Sequence, residues 1–240
     1  MKRSMARSTA RHTALLTAAI LSVAMPALAE NLTVVELFQS QGCASCPPAD
    51  ANVIALADRP DLLTLGFGVT YWDHLGWKDT FASEQYTNRQ WDYARAFRRR
   101  EVYTPEVVVN GRADVSGLDR GKLEALIGRE AAPGNGPHIT IANGKVNVGD
   151  ADGTGGRADV WLVRYDPSVE MVAIARGENA GRTLPHRNVV KELLNLGRWD
   201  GTQASFAIPP ASQSGLRDAI IVQEGRGGPI IAAARAPAGS

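Results

Sequence analysis

The stretch Gly42-Cys43-Ala44-Ser45-Cys46-Pro47 constrains this chain more than any other, because it holds both of its cysteines, two residues apart. An apolar strand-like run, Leu32 to Phe38, precedes it, and a helix-like run, Pro48 to Ala57, follows. A thiol pair at a strand-to-helix turn lies near the partial positive charge of a helix N-terminus, which stabilises a thiolate and lowers the pKa of the first cysteine. The two cysteines bond to each other, bind something together, or stay free. A disulfide over so short a spacing removes little unfolded-state entropy, so a purely structural role gains little. A dithiol site needs one exposed cysteine to attack and a second to resolve the mixed disulfide. Cys43 is the expected exposed nucleophile and Cys46 the resolving thiol.

The ends of the chain say where such chemistry would operate. Lys2, Arg3, Arg7 and Arg11 precede a short apolar core, Ala14 to Met25, and Ala27-Leu28-Ala29 is an A-x-A cleavage site. Residues 1–29 therefore read as a signal peptide, too short in its apolar part for a comfortable membrane span. The mature chain is expected to have no membrane span and to be periplasmic or secreted, where disulfides persist. Cleavage takes four of the 26 Lys and Arg and leaves all 25 Asp and Glu, a mature net charge of about −3. A nucleic-acid partner would call for a basic stripe, which is missing. The one basic cluster, Arg98-Arg99-Arg100, reads as a solvated helix end.

The first half alternates strand and helix. Leu32–Phe38 is a buried strand, 49–57 a helix, and Leu62–Val69 a second strand. Residues 80–100 have helical composition, Glu106–Asn110 is a third strand, and Asn110-Gly111 signals a type I′ hairpin whose return strand is 112–116. Asp119 to Arg129 closes with Leu123, Leu126 and Ile127 at helical spacing. The order β-α-β-α-β-β-α, with the first strands parallel, is that of a thioredoxin core. In such a sheet, sites lie beyond the carboxyl ends of strands, where Cys43 falls. A Pro/Gly linker at 131–137 separates this domain, 30–131, from a β-rich domain, 138–235. The latter shows short strand-like runs at 138–142, 145–148, 158–165, 170–176, 204–208, 219–223 and 230–234, with 188–196 assigned to a strand rather than a helix. The expected fold is an α/β thioredoxin-like domain followed by a mainly antiparallel β, sandwich-like domain.

Four further groups of residues bear on the chemistry. Thr104-Pro105 stands just before the third strand, the place of the cis-proline that lies against a CxxC in thioredoxin-like proteins. Glu36 interrupts an otherwise apolar central strand. Buried there, it would accept the proton of the resolving thiol; at a strand edge it would reach solvent or an Arg or Lys. Tyr71, Trp72 and Trp77, with His74 among them, follow the second strand at the same sheet edge, where they line a substrate groove or pack as a loop. CxxC thiolates are also good ligands for Cu(I), with His74 or His186 as a third ligand. No pair of histidines has zinc spacing. The 150–156 loop resembles a calcium loop but lacks its twelfth-position acid, and no hydrolase constellation is present.

Val35-Glu36-Leu37-Phe38-Gln39-Ser40-Gln41-Gly42-Cys43-Ala44-Ser45-Cys46-Pro47-Pro48-Ala49-Asp50 resembles the signature of the DUF1223 family of exported bacterial thioredoxin-like proteins. Tyr71-Trp72-Asp73, Trp77-Lys78-Asp79, Val102-Tyr103-Thr104-Pro105, Val108-Val109-Asn110-Gly111, Gly177-Glu178-Asn179 and His186-Arg187-Asn188-Val189-Val190 resemble it too. The resemblance spans essentially the whole mature chain. It implies a thioredoxin-like domain followed by a β-rich one, and no particular substrate. Ala-Ser stands between the cysteines where thioredoxin has Gly-Pro, and no tryptophan precedes Cys43, so the direction of electron flow stays open. The expected activity is thiol–disulfide exchange on a protein or small-molecule thiol or disulfide, with no cofactor beyond the disulfide. Cu(I) carriage by the same thiols, and an inert disulfide in an interaction protein, are the alternatives. The second domain is available to set partner choice or to form a homodimer.

Overall fold

The computed structural model describes residues 31–132, 134–151 and 157–237. Residues 1–29, expected to be a signal peptide, and positions 152–156 of the Asp/Gly-rich loop lie outside the described residues. The chain is mostly β, with a large mixed sheet and few helices.

In the first half, β1 (Thr33–Gln39) and β2 (Leu62–Gly68) are buried along their whole length and pair in parallel. The helix between them, α1 (Cys46–Ile54), begins at the second cysteine itself, three residues before the expected start at Ala49. Pro47 and Pro48 fit its first turn because N–H groups there have no intrahelical partner to lose. After a 3₁₀ turn at Asp73–Leu75, α2 (Glu84–Ala96) starts where the Ser83 side chain accepts a hydrogen bond from Gln85 N. The hairpin β3 (Glu106–Val109) and β4 (Ala113–Val115) follows, then α3 (Arg120–Arg129), capped by Asp119 on Lys122 N at 3.0 Å. Asn110 and Gly111 take φ of 47° and 61°, and Asn143 and Gly144 take 52° and 70°, the left-handed pairs that a type I′ turn demands.

The second half departs from the expectation of short strands. After β5 (Ile139–Ala142) and β6 (Lys145–Val148), the two runs at 158–165 and 170–176 form a single 16-residue strand, β7 (Ala158–Ala173). Residues 188–196 lie inside a 17-residue strand, β8 (Thr183–Trp199). At ~3.3 Å per residue this hairpin is roughly 50 Å long. The remaining strands are β9 (Ala204–Ala207), β10 (Arg217–Glu224) and β11 (Ile230–Arg235).

The strands of the second half do not form a sheet apart from the first. One eight-stranded sheet runs β11-β10-β7-β8-β2-β1-β3-β4, with β8 joined in parallel to β2 through Gly66 and Val189. The outer edge of β2 would otherwise present unpaired backbone groups, and β8 covers it. Only β5, β6 and β9 make a second layer.

Strand alternation sorts the core into three parts. Val35 and Leu37 of β1 face α1 and α3. Val34 and Phe38 face Tyr86 and Tyr93 of α2. Val160 and Leu162 of β7 meet Ile139, Val146 and Val148 of the small sheet. Arg99, expected at a solvated helix end, is drawn in instead: it binds Glu106 and lies 2.8 Å from Asp114.

Candidate functional site

Cys43 and Cys46 form a disulfide across the turn from β1 into α1. Backbone bonds from Cys43 N to Ser40 O (3.1 Å) and Cys46 N to Cys43 O (3.2 Å) shape the turn. Gln41 anchors its entry. Its N–H donates to Asp79 Oδ2 at 2.7 Å, and its Oε1 accepts from Trp77 Nε1 at 2.9 Å. Phe81 N donates to the other Asp79 oxygen at 2.8 Å, and burial pushes the Asp79 carboxyl above the usual carboxylate range.

Cys43 is not exposed, contrary to the sequence expectation. Both cysteines have 0% of their surface accessible, although Ala44 and Ser45 between them are open to solvent. Part of the second half of the chain lies against the cysteine loop. The turn joining β7 to β8 reaches over the cysteine loop, and Ala44 N donates to Glu178 Oε2 at 3.1 Å. Asn179, fully buried, donates from Nδ2 to both Gln41 O (3.0 Å) and Cys43 O (2.9 Å). Arg182 Nη1 holds the Asn179 amide by donating to its Oδ1 at 2.6 Å. Glu178 and Asn179 belong to a motif noted in the sequence, but nothing local says what they touch.

The other expected residues divide. The Thr104-Pro105 peptide is cis, and Trp72 Nε1 donates to Thr104 Oγ1 at 2.7 Å. Trp72 also flanks the cysteine loop, since a Cβ placed on Gly42 would lie 3.4 Å from its Cβ. Trp77 meets both the loop, through Gln41, and the cap, where a Cβ on Gly177 would lie 3.5 Å from Trp77 Cβ. Tyr71 turns toward α2 instead, its hydroxyl donating to Gln90 Oε1 at 3.2 Å, and burial pushes its phenol up to about 12. His74 is exposed on the 3₁₀ turn, with Nδ1 2.8 Å from Tyr71 O. Among the described residues no group of three His, Cys, Asp or Glu is placed to hold a metal ion.

Glu36 lies across β1 from the thiols. It is fully buried, but its parity places it on the α2 face of β1, opposite α1 and the cysteines. There Arg89 Nε donates to it at 2.7 Å, and Tyr93 OH donates to its other oxygen. Arg89 also donates to Gln223 Oε1 at 3.1 Å and to Tyr93 OH at 2.9 Å. This network fastens α2 to β1 and β10.

On the α1 face, three residues of two separate motifs form a cluster that the sequence does not foretell. Gln39, Asp50 and His186 meet there: His186 Nδ1 lies 2.8 Å from Asp50 Oδ2, and Gln39 Nε2 donates to the same oxygen at 3.2 Å. Asp50 carries one local signal, its place four residues after Cys46, which puts both on the buried face of α1. His186, part of a family motif and an alternative Cu(I) ligand, is 147 residues from Gln39, and nothing local pairs it with Asp50.

Fold and site together define a mostly β protein whose CxxC disulfide, at a strand-to-helix turn, is capped by a hairpin from its own second half. The profile of the DUF1223 family, described as a protein of unknown function, matches residues 34–223, and the chain belongs to that family. It is similar to the crystal structure of protein AGR_C_4864 from Agrobacterium tumefaciens, with 32% identity and a TM-score of 0.70 over 86% of this chain and 94% of that one. A second structure, HBP35 of Porphyromonas gingivalis, is 12% identical, with a TM-score of 0.56 over 88% of this chain and 78% of that one, a likeness of fold alone. No curated protein matches.

Proposed function

We propose that this protein is an exported thiol–disulfide oxidoreductase of thioredoxin-like design, in which Cys43 attacks and Cys46 resolves. The observation that carries the reading is the Cys43–Cys46 disulfide at the start of α1, directly after a central strand. The strand order β2-β1-β3-β4, with α1 and α3 against one face and α2 against the other, supports the thioredoxin-like design. Trp72, which flanks Gly42 and donates to Thr104 Oγ1 before β3, supports a groove beside the cysteine loop. A substrate disulfide is attacked by the Cys43 thiolate, one substrate thiolate leaves, and Cys46 then displaces the second as the Cys43–Cys46 bond forms. The reverse sequence oxidises a dithiol. Both cysteines are fully buried, so the cysteine loop or the 174–182 turn bonded to it moves before a protein substrate docks.

Equilibration of the mature, metal-free protein with glutathione buffers tests the reading. A pair that titrates in the glutathione range supports exchange chemistry, and its potential separates oxidant from reductant. A pair still oxidised below roughly −300 mV would sink the reading in favour of an inert disulfide. Cu(I) carriage uses the same two thiolates, and is favoured instead if the reduced protein holds Cu(I) against a competing chelator yet turns over no disulfide.

A further inference from the structure

We infer that His186, held by Asp50, is the buried proton acceptor for the resolving cysteine, so that the second half of the chain supplies part of the redox site. The inference rests on the thiol–disulfide reading above. Cys46 and Asp50 are one helical turn apart on the buried face of α1, a spacing that sets Cβ atoms about 5–6 Å from each other. Asp50 is 5% exposed and His186 2%.

The hydrogen bonds assign the tautomer. His186 Nδ1 is 2.8 Å from Asp50 Oδ2 and 3.1 Å from Gln39 Nε2. The Gln39 amide nitrogen has only protons to offer and already donates to Asp50 at 3.2 Å. A bare Nδ1 facing a carboxylate oxygen would oppose two lone pairs, so Nδ1 carries the proton and donates to Asp50. That leaves Nε2 as the basic nitrogen. Among the described residues, His186 Nε2 is buried and has no hydrogen-bond partner. A buried polar atom without a partner is uncommon and calls for a reason. Reduction of the disulfide supplies one, because it creates a Cys46 S–H one turn above Asp50.

Charged groups approach the ring from several elements. Asp50 approaches from α1, and Asp79, from the loop before α2, acts on it through space. Phe81 sets its ring edge-to-face at 5.4 Å, and Lys191 Nζ lies beyond, 4.2 Å from the Phe81 centroid and 2.6 Å from Glu170. In the mixed disulfide, Cys46 S–H gives its proton to His186 Nε2, directly or through one water. The Cys46 thiolate attacks Cys43 Sγ, the Cys43–substrate S–S bond breaks, and the substrate leaves as a thiolate that takes up a proton from solvent.

The test uses the reduced mature chain and Ellman's reagent, an aromatic disulfide whose released thiolate is coloured. Cys43 attack releases the first equivalent and Cys46 resolution the second, so stopped flow separates the steps. His186→Gln keeps a donor to Asp50 and removes the base. Near neutral pH it should slow the second phase at least tenfold and leave the first unchanged. Its second-phase rate should climb with pH through the ordinary thiol range, about 8.5, until it meets the wild type. Asp50→Asn, which preserves the ring and removes its carboxylate, should slow the same phase with the same upward displacement, and it carries the test if His186→Gln does not fold. A second-phase pH profile that superimposes on the wild type, or equal slowing of both phases at every pH, overturns the inference. Absence of the first phase in wild type overturns the thiol-exchange reading, and this inference with it.

Discussion

Replacing Asn179 by alanine should open the way to the disulfide. The Asn179 amide donates to two carbonyls of the cysteine loop, at 3.0 and 2.9 Å, and is itself held by Arg182. A buried hydrogen bond is worth about 1 kcal/mol net, so removal of the two donated bonds weakens the closed cap by about 2 kcal/mol. At 1.4 kcal/mol per tenfold, the open population rises roughly 30-fold. When opening is fast and attack slow, the observed rate scales with that population. The assay is reduction of the oxidised mature protein by excess dithiothreitol, followed by mass shift after alkylation. Asn179→Ala should reduce roughly 30-fold faster than wild type, and Glu178→Gln, which alters one exposed contact at 3.1 Å, only a few-fold faster. Equal rates for Asn179→Ala and wild type would refute the cap as the gate. So would a reduction rate that rises with urea as steeply as global unfolding does, because the disulfide would then be reached by whole-chain unfolding.

Two further perturbations separate structural from chemical roles. Glu36→Gln leaves Arg89, 7% exposed, without its counter-charge, and should lower the urea-derived stability by about 3–5 kcal/mol while leaving the reduction potential in place; a shifted potential with intact stability would show that Glu36 does act on the thiols. For Asp79, burial raises the folded-state pKa, so its contribution to stability is fully present below the unfolded value of 3.8 and is lost as pH rises through the raised value. The urea midpoint of Asp79→Asn should therefore gain on that of wild type across this window, and a gap between the two that does not change with pH refutes the assignment.

Much of the first half was legible because its causes are local. Apolar runs, the Ser83 and Asp119 caps and the Asn-Gly turns act within a few residues, and each element stands within a few positions of its expected place. The 158–176 stretch was read as two strands because Asp166-Pro167-Ser168 is a turn signal, whereas the structure absorbs it as a bulge within β7. Neighbouring strands supplied enough pairing to carry the chain past a local stop. Glu36 shows a different failure. Its burial followed from the apolar strand around it, but its role depended on which face of β1 α1 covers, and that is settled by the path of the crossover.

The sequence by itself determined that two cysteines close a strand-to-helix turn, that a proline precedes the third strand, and which turns reverse the chain. The tertiary structure alone decided that Glu178 and Asn179 lie over the cysteines and that His186 meets Asp50 beneath them. Those contacts join positions more than a hundred residues apart, on strands whose length and register are set by the sheet they complete. Periodicity reports what a residue does for its own helix or strand. Which distant side chain it meets depends on how the sheet is assembled.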